Sequence, residues 1–296
     1  MEPPLNRTIR LNDGRRLGFA EFGDPHGVPV FGFHGTPGSR LMLRIAEAPA
    51  RRLGVRLIAP DRPGFGLSDF QPERSLGDWP DDVVALADAL GIPRFGVAGV
   101  SGGGPYAAAC AWKIAKRLTR VGIVSGMGPV RGSEATPGLD RTHRWLFGLW
   151  SKAPWLTRRL MALARRGWDK RPEKMFAQIV RFASEVDRAV MTRDEVRAAL
   201  IDGLADAFRT DGRGVAHELI LFGRAWGFTL SDIAMPVELW HGDNDHLVPL
   251  AMGRHMAARI PQCRAEFIPG AGHYWVFDHV ETLLRHLSEA PEAAAR

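Results

Sequence analysis

Apolar positions in this chain fall in short runs, separated by stretches with helical spacing, almost from end to end. "TIRL" and "RRLGFAEFG" predict two strands joined at Asn12-Asp13-Gly14, a tight hairpin turn whose glycine tolerates positive φ. "VPVFGFHG" follows as a buried strand. "RLIAPD", "FGVAGVS" and "RVGIVSG" come next, each separated from the last by a helix-length segment. One such segment, "DWPDDVVALADALG", offers Asp78 as N-cap, Pro80 in the first turn and Gly91 as C-terminal stop. Strand and helix alternating in this way predict an α/β protein with a mainly parallel sheet and helices on both faces.

The rhythm breaks near residue 128. "GMGPVRGSEATPGLD" is a linker of glycine, proline and serine, and the long stretch after it has helical patterns with no convincing strand. That stretch holds Trp145, Trp150, Trp155, Trp168 and Trp226, five of the nine tryptophans. "MPVELWHGDND" then restores a buried strand, "PLAMGRHMAARI" a helix, "AEFIPG" a last strand and "YWVFDHVETLLRHL" a last helix. The expected organisation is a core of residues 1–127 and 232–296, interrupted after the sixth strand by a helical insertion over 128–231. There is no internal repeat, and the Ala/Glu-rich tail after Ser288 reads as disordered.

Composition narrows the function classes. A hydrophobic fraction of 45% and a charged fraction of 24% are those of an ordinary soluble protein. No run approaches the roughly 20 apolar residues of a membrane span, and the N-terminus lacks the apolar centre of a secretory signal. A cytoplasmic protein with no membrane partner is therefore expected. Net charge is +6, which raises the question of nucleic acid. Only five of the 39 basic residues are lysine, a lopsided use of arginine that points to coding bias in a GC-rich genome. The densest basic stretch, Arg158 to Lys174, interleaves with apolar residues at helical spacing, as a solvated helix face does, so no nucleic-acid partner is expected. Cys110 and Cys263 make neither a disulfide framework nor a metal cluster and are expected to be reduced packing residues.

The chemistry begins at "GVAGVSGGGPYAAA", residues 96–109, where an apparent strand gives way to an alanine-rich helix. A sharp strand-to-helix turn exposes its apex residue above the sheet and passes close to neighbours only if the flanking positions are small. Gly99 and Gly103 meet that need around Ser101. An apex hydroxyl at a helix N-terminus sits where amides and the helix dipole favour negative charge. A serine nucleophile also needs a base, and the base an orienting carboxylate. "GAGHYW" supplies His273 after the last strand, and "HGDNDHLVP" supplies Asp243 and Asp245 after the preceding one. Ser101, aspartate and His273, each past a strand's carboxyl end, converge on the edge of a parallel sheet that carries ligand sites.

Four motifs in order, HGTPGS at 34–39, DRPGFGLSD at 61–69, GVSGG at 99–103 and the GDNDHLVP and GAGH pair, make the chain resemble the α/β-hydrolase fold superfamily from about Arg7 to Leu287. The resemblance lies in its serine-nucleophile esterase and proline-iminopeptidase-like branch. It implies an eight-stranded, mainly parallel sheet with a helical cap after strand 6. The family's G-x-x-D-x-x-V-P pattern falls on Gly242, Asp245 and Val248, which makes Asp245 the triad acid and leaves Asp243 to shape its turn. The same comparison puts the oxyanion donors at the amides of Gly102 and Thr36, with Gly35 letting the loop approach the serine. His34 reads as a loop-shaping hydrogen bonder, Asp61 and Arg62 as ties for their loop, and Phe65 as a substrate contact. His241, His246, His255 and His279 match no established ligand spacing, and a triad hydrolase needs neither metal nor cofactor.

A serine nucleophile argues against the epoxide hydrolases and dehalogenases of this fold, which use a carboxylate. The expected activity is hydrolysis of small to medium apolar carboxylic esters through an acyl-enzyme, with a small-molecule ester or amide as substrate. Besides Phe65, the expected substrate contacts are Trp145, Trp150, Phe182, Trp226, Tyr274 and Trp275, with Phe147, Met161, Phe176 and Phe222 as further apolar cap residues; those within the cap could equally be its own core. A proline-iminopeptidase-like aminopeptidase is the alternative. It would need a cap carboxylate for the substrate ammonium, and Glu185, Asp187, Asp202 and Asp206 are available. A non-hydrolytic lyase or ligand receptor on the same fold is the third reading.

Overall fold

The computed structural model describes residues 4–289, so the expected tail after Ser288 lies, but for Glu289, outside the described residues. The strands are β1 (Arg7–Arg10), β2 (Arg16–Gly23), β3 (Val28–Phe33), β4 (Val55–Pro60), β5 (Phe95–Val100), β6 (Leu118–Val124), β7 (Val237–Gly242) and β8 (Cys263–Ile268). They form one sheet in the order β1-β2-β4-β3-β5-β6-β7-β8. The β1–β2 and β2–β4 pairs are antiparallel, and every other pair is parallel. The β1–β2 hairpin turns where Gly14 adopts φ +86.

Both faces of the sheet are covered, which is why its strands read as unbroken apolar runs. The helices of the core are α1 (Glu47–Arg52), α2 (Trp79–Ala89), α3 (Gly104–Lys113), α10 (Leu250–Arg259) and α11 (Val280–Ser288). Phe31, Phe33, Phe95 and Val97 pack with Trp79 and Leu86 of α2, Tyr106 of α3 and Met252 of α10. The alternate residues Val30 and Leu57 pack on the other side with Ala50 of α1 and Leu284 and Leu287 of α11. Asp78 does not cap α2 as expected. The chain begins to turn three residues earlier, at Ser75, in a 3-10 segment, Leu76–Asp78, and the Asp78 carboxylate accepts the Ser75 amide in a capping box. Gly91, at φ +67, ends the helix as read from the sequence.

Between β6 and β7 lie α4 (Arg141–Lys152), α5 (Pro154–Lys170), α6 (Pro172–Phe182), α7 (Glu185–Met191), α8 (Asp194–Ala207) and α9 (Arg213–Phe222). They carry a hydrophobic cluster of their own, in which Trp168, Phe176, Leu200 and Phe208 gather around Phe65. Arg158, Arg159, Arg166, Lys170, Arg171 and Lys174 point to solvent from α5 and the start of α6. Cys110 is buried, Cys263 half-buried, and both are free thiols. Among the described residues no helix is long and apolar enough to cross a membrane.

Candidate active site

The turn after β5 is strained at a single residue. Ser101 adopts φ +56, a left-handed backbone that costs a non-glycine residue on the order of 1–3 kcal/mol and persists only where neighbours enforce it. The enforcing neighbours are glycines. A Cβ on Gly99 would lie 2.2 Å from the Gly103 carbonyl oxygen, and one on Gly103 would lie 2.4 Å from that of Phe33. A larger residue at Gly99 would push the start of α3 off β5, and one at Gly103 would push it off the end of β3. The hydroxyl thereby sits at the head of the 3-10 turn Ser101–Gly103 that leads into α3.

The aspartate and histidine follow β7 and β8, beyond β6 on the same side of β5. Asp245 follows β7, and its Oδ1 accepts the amides of Leu247 at 2.9 Å and Val248 at 2.8 Å. Its Oδ2 accepts from His273 Nδ1 at 2.7 Å, which leaves Nε2 of the ring free to serve as a base. Burial works to raise the Asp245 carboxyl, but the charge and hydrogen bond of His273 outweigh it and hold it below its ordinary value. For His273 burial works downward. The charge and hydrogen bond of Asp245, with a further contribution from the Asp187 charge, leave it above the ordinary imidazole value. Asp243 accepts the Gly270 amide at 2.7 Å and so ties the β7 loop to the turn after β8.

Thr36 and Gly102 meet at the serine. A Cβ on Gly102 would fall 2.3 Å from Thr36 Oγ1 and 3.1 Å from its amide nitrogen, so only glycine admits the loop this closely. A Cβ on Gly35 would stand 3.4 Å from Ser101 Cβ and 3.8 Å from its Oγ. The first amides of a helical turn have no partner inside it, so the Gly102 N–H is available to an oxyanion. His34 shapes the loop: Nδ1 bonds the Gly35 carbonyl at 2.8 Å, and Nε2 accepts the Arg62 amide at 3.4 Å. Burial, helped by the Arg62 charge, pushes its pKa well down and keeps it neutral.

Beneath this loop lies a buried ionic network that sequence reading did not find. Arg62 donates to the carbonyls of His34 at 2.6 Å and Gly35 at 3.1 Å, and to Thr36 Oγ1 at 2.9 Å. It also grips Glu218 of α9 with two bonds, at 2.7 Å and 2.9 Å. Glu218 is fully buried and further accepts from Tyr106 at 2.7 Å, Arg74 at 3.3 Å and the Thr36 hydroxyl. Burial acts to raise its carboxyl, yet the charge and hydrogen bonds of Arg62, with the charge of Arg74 and the Thr36 hydroxyl, bring it down to about 2. The available signal was a lone acid inside the apolar run "VAHELILF". Asp61, also buried, anchors Arg40 through its amide at 2.7 Å and its guanidinium at 2.8 Å.

Ser101, His273, Thr36 and Gly102 open into one cavity of about 300 Å³. The helical segment contributes Phe147, Ile179, Leu200, Leu204, Leu219 and Phe222 to its wall, and the core adds Met42, Met127, Tyr274 and Phe277. Of the seven residues expected to contact substrate, only Tyr274 is on this wall. Trp145 and Phe182 are 66% and 85% exposed, on the outer surface of α4 and α6. Trp226 is buried against Phe228 in the main core, and Phe65 in the core of the helical segment. Trp275 is buried with Trp240, its indole N–H donating to Ser125 Oγ at 3.0 Å, and Trp150 lies off the wall. The reason is general: helical spacing marks an apolar face without saying whether it meets a cavity, a neighbour or solvent.

The four candidate cap carboxylates are also off the wall. Asp187 accepts the Tyr274 amide at 2.8 Å, Asp206 pairs with Arg40 at 2.5 Å, and Asp202 pairs with Arg44. Glu185 points to solvent. The other candidate histidines have partners of their own: His241 bonds the Val248 carbonyl, His246 Asn244 and His255 the Glu134 carbonyl, while the His279 ring packs at a tilt against Trp275.

A profile of the alpha/beta hydrolase fold matches residues 28–280. The chain is 26% identical to a 2-hydroxymuconate semialdehyde hydrolase of Pseudomonas putida, over 96% of this chain and 92% of that protein. It is 25% identical to a poly(3-hydroxyalkanoate) depolymerase of Ectopseudomonas oleovorans, over 95% and 90%. Among solved structures, an esterase from Exiguobacterium antarcticum superposes with a TM-score of 0.72 at 17% identity, covering 96% of this chain and all of that one. A thermophilic esterase from Thermogutta terrifontis gives 0.68 at 23% identity, covering 97% of each.

Proposed function

This chain belongs to the alpha/beta hydrolase fold family, and we propose that within it the protein is a serine hydrolase cleaving carboxylic esters of uncharged, apolar compounds. Ser101 Oγ attacks the ester carbonyl while His273 Nε2 takes its proton. The Asp245 carboxylate holds the opposite ring N–H and stabilises the imidazolium that forms. The tetrahedral oxyanion is received by the amides of Gly102 and Thr36, each donor contributing ~3 kcal/mol to lowering the barrier. His273 then protonates the departing alcohol, and a water molecule, deprotonated by the same ring, releases the acid from Ser101. Residues 128–231 act as the cap over this site.

One observation carries the reading. His273, bonded to Asp245 at 2.7 Å, shares with the strained Ser101 a cavity whose wall, among the described residues, bears no charged side chain apart from that imidazole. Such a wall suits hydrocarbon on either side of an ester. It disfavours an aminopeptidase, since an ammonium group would find no carboxylate, the four cap acids being engaged or exposed elsewhere. It equally disfavours a substrate that carries a carboxylate near the ester, because that group would find no cation among the described residues of the wall.

The test is a panel of p-nitrophenyl esters of increasing chain length beside L-prolyl-naphthylamide, with wild type and Ser101→Ala. Turnover of the esters, lost in Ser101→Ala, is the expected result. Turnover of the prolyl amide alone, or of esters by the alanine variant at the wild-type rate, would overturn it.

A further inference from the structure

A second void, of about 120 Å³, adjoins the cavity that holds Ser101. It lies between β3 and β5 on one side and the 3-10 segment Arg40–Ala46 and α11 on the other. Gly35, Met42, Val100, Val276 and Phe277 belong to the walls of both. The rest of its lining is hydrocarbon, chiefly Val30, Leu43, Leu57, Ala98, Leu284 and Leu287. His34 is the one titratable residue there, and both of its ring nitrogens are already occupied.

Protein interiors close-pack, and their few voids larger than a water molecule forfeit contacts on every side. Water gains little here, because a buried water needs two to four polar partners and the wall is almost wholly apolar. Apolar voids of about 150 Å³ stay dry and take up a hydrocarbon the size of benzene. On the sheet side β5 presents the small Ala98 to the void, while the space over its β3 partner Gly32 is taken by Leu43, whose Cδ2 lies 2.2 Å from where a Cβ would stand. Met42, unbranched and adaptable, stands between the two spaces.

We propose that this void is an alkyl subsite: the far end of an unbranched hydrocarbon chain on the substrate passes Met42 and Phe277 and lies against Ala98, Leu57 and Leu284. The assignment rests on the ester-hydrolase reading of the Ser101 cavity. The chain can belong to the acyl group or to the alcohol, and the chemistry of the subsite is the same for both.

Ala98→Leu and Val280→Phe fill the void from opposite sides, and Ala98→Val replaces the first if leucine prevents folding. For wild type and variants, kcat/KM is measured on p-nitrophenyl acetate, butyrate, octanoate and dodecanoate, and separately on ethyl, butyl, octyl and dodecyl acetates. The subsite lowers the octyl-to-short ratio at least ~10-fold in the filled variants. It does so in the first series if it holds the acyl chain and in the second if it holds the alcohol. Ratios within twofold of wild type in both series, in variants with cooperative thermal unfolding, overturn the proposal. If wild type cleaves no ester, the function fails, and the void is judged by 1-octanol alone. A rise in wild-type melting temperature that the filled variants lose then supports the subsite, and equal shifts refute it.

Discussion

Glu218→Gln is the substitution whose consequences the structure fixes most closely. The amide keeps the shape of the carboxylate and removes its charge, which leaves the guanidinium groups of Arg62 and Arg74 buried without their counter-ion. Breaking a buried pair from one side costs ~3–5 kcal/mol. Proton linkage gives a second route to the magnitude. The carboxyl moves from an ordinary 4.5 to about 2 on folding, and at 1.36 kcal/mol per unit that is about 3 kcal/mol of stability at neutral pH. Because the folded pKa is depressed, this stability is fully present above about 4.5 and is lost as pH falls toward 2. Denaturant unfolding at pH 7 should therefore find the variant ~3 kcal/mol less stable, and the gap should shrink by ~2 kcal/mol at pH 3. Activity should fall as well, since Glu218 and Arg62 together hold the loop that presents the Thr36 amide. A displacement of that donor by about 1 Å is worth on the order of 100-fold in kcat. A gap below ~1 kcal/mol that does not change with pH would refute the ionic account of the network.

Other predictions follow from the same geometry. Asp245→Asn should lower kcat by ~10⁴-fold by favouring the wrong imidazole tautomer, whereas Asp243→Asn, losing one turn hydrogen bond, should cost ~1 kcal/mol of stability with kcat nearly intact; steady-state kinetics beside thermal unfolding separates the two. The acid limb of kcat/KM should have its midpoint above the ordinary imidazole value of about 6.5, activity rising as His273 loses its proton. That midpoint should move down in Asp187→Asn, because the Asp187 charge helps to raise it; an unmoved midpoint counts against this coupling. Phe147→Ala and Phe222→Ala, on the cavity wall, should change the octanoate-to-acetate ratio, while Trp145→Ala and Phe182→Ala on the outer surface should leave it alone. A ratio that follows the outer pair instead would place the substrate elsewhere.

The eight strands of a mainly parallel sheet were legible, and the Ser101, Asp245 and His273 candidates could be picked out, because each rests on local signals. The signals are an apolar run, a glycine-flanked apex, and a polar residue just past a strand. The Asn12-Asp13-Gly14 turn and the Gly91 stop belong to the same class. What the sequence could not reveal is carried by contacts between distant residues. Thr36 and Glu218 are 182 positions apart, and nothing near either names the other. Trp145, Phe182 and Trp226 share one apolar chemistry, yet two face solvent and one is in the core. The direction of a helical face is decided by packing against partners that only the folded chain supplies. Ser75 was overlooked for a smaller reason, since Asp78 sits at the visible start of the helical pattern while the backbone begins to turn three residues earlier.

The account stands on Ser101 as the nucleophile, and covalent labelling tests that directly. A fluorophosphonate, whose phosphorus is attacked by an activated serine oxygen and retained as a stable ester, should add once per chain by intact mass. Peptide mapping should place the adduct on Ser101, with hydrolysis of p-nitrophenyl butyrate lost in proportion to labelling. Ser101→Ala should take up no label. An adduct on another residue, or full hydrolysis by a fully labelled protein, would contradict the assignment.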